Sequence, residues 1–189
     1  DIFMIDVNEL RKGVTFQLDG NLLKVLEYSH HKPGRGSATI RVKARNLITG
    51  ANIDKTFNSG DRVQDVQLDY RNVQFIYSDG EFYYFMDNET YEQPAVPATL
   101  LTETSGYLKE GTEAKLTFYN GAPIDIELPT SVDLEVVEAE PSVKGDTATG
   151  HTKKVTLETG LSTSVPAFVD VGAVVRIDTR NGEYLTRVT

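Results

Sequence analysis

Apolar and polar residues alternate in short runs along most of this chain, and glycine-bearing turns cut the runs. Strict alternation over four to eight residues is the mark of a half-buried strand. It predicts strands over 14–18, 22–28, 39–47 and 52–57, separated by Gly13, Asp19-Gly20 and Thr49-Gly50, with a short mixed segment over 5–10 before them. Strands at this spacing predict a small barrel that closes near Asp65. A second unit opens near Val66. Val73, Phe75 and Tyr77 alternate, Asp79-Gly80 signals a hairpin, and Phe82, Tyr84 and Met86 alternate on the return. These rings read as a barrel core, with base stacking as the alternative. Pro94 and Pro97 interrupt, 98–104 reads as a short helix, and 113–119 and 124–128 flank a second hairpin at Asn120-Gly121.

Pro129 marks the next boundary. Val132, Leu134 and Val136 alternate, a polar stretch rich in Gly and Thr follows over 141–154, and strands are expected over 155–157, 162–169, 174–178 and 184–188. No amphipathic helix of three or more turns is found. The fold class is therefore all-β: three small β-barrel domains over 1–65, 66–129 and 130–189. The second and third share length and hairpin punctuation, as two copies of one barrel type would.

Within this pattern one stretch stands apart, Lys32-Pro33-Gly34-Arg35-Gly36. Proline presets its own φ and glycine accepts φ > 0, so Pro33-Gly34 reads as the centre of a tight turn that holds out Arg35, with Gly36 bare on its far side. In the strand that follows, Ser37, Thr39, Arg41, Lys43 and Arg45 share one face, and Ala38, Ile40, Val42 and Ala44 share the other. Charge sharpens the picture. Lys24, Lys32, Arg35, Arg41, Lys43 and Arg45 face one acid, Glu27, a balance of +5 in a chain of −9 that leaves −14 elsewhere. A basic finger on an acidic body points to a local anionic target such as phosphate.

Composition bounds the rest. With 39% hydrophobic and 25% charged residues the chain fits a soluble globular protein, and no apolar run is long enough for a transmembrane helix. The N-terminal residues lack the pattern of a secretory signal, Met4 reads as a natural start, and the absence of cysteine agrees with a cytoplasmic setting. No cofactor, metal or membrane partner is expected. His30, His31 and His151 are the histidines, and His30 and His31 are adjacent on a strand, where their rings point to opposite sides. Asn88-Glu89-Thr90 matches a glycosylation sequon by chance. Gly145-Asp146-Thr147-Ala148-Thr149-Gly150 lacks the lysine ending of a phosphate-binding loop. No constellation for nucleophilic or acid–base catalysis is present.

In order and spacing, several segments resemble the bacterial elongation factor P family over 4–188. They are His31 through Ala38, Arg45-Asn46-Leu47 with Thr49-Gly50, Thr56-Phe57, Phe85-Met86-Asp87 with Tyr91-Glu92-Gln93, Gly145-Asp146-Thr147, Thr156 through Gly160, Val165-Pro166 and Gly182 through Arg187. The resemblance implies a KOW/SH3-like barrel followed by two OB-fold barrels in an elongated, tRNA-like arrangement. It implies a monomer that binds both ribosomal subunits between the peptidyl-tRNA and exit sites. There it would position the peptidyl-tRNA CCA end, relieving stalling at consecutive prolines. Arg35 would be the functional tip, with Lys32, Pro33, Gly34, Gly36, Arg41, Lys43 and Arg45 contacting RNA. Gly145, Asp146 and Thr147 would approach mRNA at the exit site, and Tyr184 and Arg187 match further functional positions. Many members carry a modified lysine at the tip. In others the residue is arginine, either rhamnosylated by a modifying enzyme or left unmodified. The family motif near the third domain has alanine where Val155 stands. The alternative reading is a non-catalytic multi-barrel RNA-binding adaptor.

Overall fold

Strands dominate the computed structural model, which describes residues 2–142 and 151–189. They divide into two compact units. One ends at Asp69 and also takes in Tyr119–Ile124, and the other comprises Tyr70–Phe118 and Asp125–Thr189.

In the first unit, β1 (Met4–Asp6), β2 (Thr15–Leu18), β3 (Asn21–His31), β4 (Thr39–Asn46), β5 (Asn52–Asn58) and β6 (Arg62–Asp65) form one sheet in the order β1-β6-β2-β3-β4-β5. Its inward residues include Phe16, Leu23, Val25, Ile40, Val42, Ala44 and Phe57, with Phe16 meeting Phe57 edge-on at 6.2 Å. Asp19 and Gly20 both take positive φ, which a two-residue type I′ hairpin demands, and they close β2 onto β3. Leu22, Leu47 and Ile124 make a smaller cluster with Val66, Leu68 and Tyr119. β3 runs to His31, three residues beyond the end that its apolar pattern marks, because those residues still pair with β4.

Two five-stranded sheets follow, and apart from Asp69 and the hairpin segment Tyr119–Ile124 their residues belong to the second unit. β7 (Asp69–Ser78), β8 (Phe82–Asp87), β9 (Ala95–Pro97), β10 (Glu113–Tyr119) and β11 (Ala122–Glu127) are ordered β11-β10-β7-β8-β9. β12 (Ser131–Ala139), β13 (Thr152–Leu157), β14 (Ser162–Pro166), β15 (Val174–Asp178) and β16 (Tyr184–Arg187) are ordered β14-β13-β12-β15-β16. Counted from its own first strand, each sheet has the same order, third-second-first-fourth-fifth. This is the repeat that the shared punctuation predicts, and it is the strand order of an OB-type barrel. β14 also approaches β16, which brings the ends of the last sheet together.

Two expectations change. The helix expected over 98–104 is a pair of 3₁₀ turns, Ala98–Leu101 and Ser105–Tyr107. The second takes its buried Tyr107 into the core of Val132, Leu134, Val136, Val155 and Leu157. On β8 the core face is Tyr83, Phe85 and Asp87, not Phe82, Tyr84 and Met86. Five consecutive large apolar side chains, Phe82 to Met86, give alternation nothing to read, and register against β7 decides which face is buried.

Candidate nucleic-acid interface

The basic finger is the β3–β4 hairpin. A bulge at Leu26 shifts the register, after which Glu27 pairs with Lys43 and His31 with Thr39. The connection is the seven residues Lys32–Ala38, and Arg35 is its midpoint. Lys32, Gly34, Arg35, Gly36 and Ser37 are exposed, with Pro33 and Ala38 half-buried. The chain does not reverse in a tight turn at Pro33-Gly34. Gly34 stays out of the left-handed region, and the positive-φ step comes after the arginine, at Gly36 with φ +125°. Seven residues are too many for a two-residue turn, so the reversal is spread across the loop. The Pro33 ring and Gly36 face each other across Arg35: a Cβ at Gly36 would lie 3.8 Å from Pro33 Cγ. The loop's far end is fixed where Ser59 N donates to Ala38 O at 2.9 Å.

Beneath the loop the alternation of β4 holds. Ile40, Val42 and Ala44 are buried, and Arg41 and Lys43 are exposed on the opposite face. That face is less uniformly basic than the β4 sequence implies. Lys43 Nζ lies 3.9 Å from Glu27 Oε2, and Asp54 pairs with Lys43 from β5. Glu27, Tyr28, Ser29, Arg41, Lys43 and Asp54 line a depression there. Arg41 stands between Ser29 and Thr56 instead. Lys32, Arg35 and Arg41 make no ion pair with any described residue, so the uncompensated positive charge is concentrated toward the apex. Glu27 and Asp54 were legible only once register was known: with Arg35 at the centre, residue 27 must face residue 43.

The other expected site residues lie elsewhere. Gly145, Asp146 and Thr147 fall outside the described residues; their flanks are β12 and β13. Tyr184 and Arg187 belong to the second unit. Tyr184 is half-buried against the last barrel core, and the Arg187 guanidinium stands 5.5 Å over the ring of exposed Phe168. Phe168 falls within the strand expected over 162–169, but β14 ends at Pro166, and a lone aromatic beyond its end carries no periodic signal. His30 and His31 are exposed and pair with Ile40 and Thr39, and among the described residues no cluster of His and carboxylates is placed to hold a metal. No helix of the described residues is long and apolar enough to cross a membrane.

Compared with known proteins, the chain matches three family models. They are the elongation factor P KOW-like domain over residues 6–63, the elongation factor P OB domain over 68–126 and the elongation factor P C-terminal domain over 132–187. Matched in this order, the three models define a multi-barrel translation elongation factor. The chain belongs to the elongation factor P family. It is 49% identical to elongation factor P of Moorella thermoacetica over 184 residues, covering 97% of this chain and 100% of that protein. It is 48% identical to elongation factor P of Thermosipho africanus over 184 residues, again 97% of this chain and 100% of the relative. Among solved structures, "Eukaryotic translation initiation factor 5A from Methanococcus jannaschii" superposes with a TM-score of 0.52 at 22% identity, over 68% of this chain and 92% of that one. At that identity the likeness concerns the fold.

Proposed function

We propose that this elongation factor binds the ribosome between the peptidyl-tRNA and exit sites and speeds peptide-bond formation where consecutive prolines stall it. The observation that carries this reading is the exposed loop with Arg35 at its midpoint, Lys32 in the same loop and Arg41 on the strand that follows, none of the three in an ion pair among the described residues. The factor supplies no acid or base. It restricts the peptidyl-tRNA end to a reactive geometry, an orientational effect on the reaction entropy. A guanidinium suits that task because it stays protonated and offers a rigid fork to phosphate or ribose oxygens. Pro33, Gly34 and Gly36 keep the loop narrow enough for close approach, while Arg41, Lys43 and Arg45 sit along the strand that follows. Gly145, Asp146 and Thr147 would meet mRNA at the exit site, with Tyr184 and Arg187 in support. Arg35 is the position at which a modifying enzyme would act. The three domains would run over 1–65, 66–129 and 130–189.

Co-sedimentation separates this reading from an RNA-binding adaptor. The factor should pellet with ribosomes that carry peptidyl-tRNA and should not with vacant ribosomes or with free RNA. Equal binding to free RNA, with a steep salt dependence, would favour the adaptor.

A further inference from the structure

The β7–β8 hairpin carries a feature that the tip does not use. If β7 alternated without interruption, Tyr77 would follow Val73 and Phe75 into the core. Instead an extra residue, Ile76, is inserted between Phe75, which pairs with Phe85, and Tyr77, which pairs with Tyr84. A bulge re-aims the side chains beyond it. Here it turns Tyr77 outward, leaving it 51% exposed, and lays its ring on that of Tyr84 at 4.5 Å and 14°. Phe82 continues the row, 6.5 Å from Tyr84, and exposed Pro97 and Ala95 flank it on β9.

We propose that this outward aromatic face of β7 and β8 is a docking surface for an arginine-bearing segment of a basic protein. Charge selects that occupant. The Tyr84 hydroxyl donates to Asp79 Oδ2 at 3.0 Å, so a carboxylate is fixed at the edge of the stack. Asp79 Oδ1 also accepts from the backbone N–H groups of Phe82 and Glu81, and these bonds hold its carboxyl below the usual range and ionised. Glu81 is exposed on the same turn. Between Tyr70 and Gln93 the acids are Asp79, Glu81, Asp87, Glu89 and Glu92, against Arg71 as the one base; Arg71 lies 3.0 Å from Glu92 and 3.9 Å from buried Asp87, which leaves Asp79, Glu81 and Glu89 without an ion pair among the described residues. Such a field repels phosphates, so a nucleic-acid strand is disfavoured although the rings are well placed for stacking. A second copy meeting this face with its own would bring the same carboxylates together. A guanidinium gains on both counts: its plane stacks on the tyrosines while its N–H groups reach Asp79 and Glu81.

The test is an NMR titration of the full-length ¹⁵N-labelled protein with an Arg-Gly repeat peptide, a Lys-Gly repeat peptide and oligouridine. The expected result is saturable shifts confined to Tyr77, Phe82, Tyr84 and their strand neighbours, with arginine preferred to lysine. Tyr77→Ala and Glu81→Gln should each weaken binding about three- to fivefold, and Glu113→Gln, an acid on β10, should not. If Tyr77→Ala disturbs the spectrum as a whole, Glu81→Gln and the lysine comparison decide. Shifts spread evenly over all acidic positions, tighter binding of oligouridine at these residues, or concentration-dependent shifts without peptide would each overturn the proposal.

Discussion

Single residues carry the chemistry, and their environments differ in ways that can be tested. Arg35 is exposed and makes no ion pair among the described residues, so removing it should leave the fold intact. Asp178 is the opposite case. It is 4% exposed, and its carboxylate accepts from Arg180 Nη2 at 2.6 Å, Nε at 3.0 Å and N at 2.8 Å. The guanidinium and these donors pull its pKa down to about 2. A carboxylate depressed in the folded state contributes stability above its unfolded value, near 3.9, and that contribution is lost as pH falls through about 2. Thermal unfolding followed from pH 7 to pH 2.5 should therefore show Asp178→Asn less stable at neutral pH and less sensitive to acid than the parent. Parallel pH profiles for the two proteins would remove Asp178 from the acid response.

At the scale of elements, the folding rules are local where they were legible and long-range where they were not. The alternation of β4 is clean because its inward residues are small or branched and its outward residues charged or hydroxyl-bearing, so sequence alone fixes the face. The Asp19-Gly20 hairpin could likewise be read from its turn residues, and the likeness of the last two barrels from length and hairpin spacing, whereas their shared strand order needed the long-range pairings. The inward face of β8 could not, because both of its faces are apolar. Bulges were invisible as well. Leu26, Ile76, Val137 and Leu185 are each inserted opposite an unbroken partner strand, and this explains why Val137 and Leu185 remain 44% and 51% exposed. The same blindness covered the 3₁₀ turn Ser105–Tyr107. Thr159 Oγ1 donates to Gly106 O at 2.5 Å, and Leu161 would sit 3.3 Å from a Cβ at Gly106. The Tyr107 hydroxyl would sit 3.1 Å from a Cβ at Gly182, where φ is +76°. No periodicity announces contacts between segments more than fifty residues apart. Gly182→Ala combines a left-handed backbone with this close approach, and should cost about 1–3 kcal/mol in urea unfolding. An unchanged midpoint would mean that neither the left-handed backbone at 182 nor the Tyr107 hydroxyl resists the added Cβ.

For the molecule as a whole, charge distribution is the organising property. A chain of −9 keeps its local excess of +5 in one hairpin, and there Glu27 and Asp54 temper Lys43 while the apex is uncompensated. If Lys32, Arg35 and Arg41 together neutralise about three phosphates, ribosome binding should weaken with a log–log salt slope of about −2 to −3. A much steeper slope would require phosphate contacts far from the tip. The most direct test of the central claim is the release rate of a Pro-Pro-stalled reporter in purified translation, using protein isolated from its own source so that any modification of Arg35 is present. The expected result is faster release with the parent protein, and loss of that effect in Arg35→Ala with an unchanged unfolding midpoint. Release no faster than without the factor, or full rescue by Arg35→Ala, would contradict the role assigned to the tip.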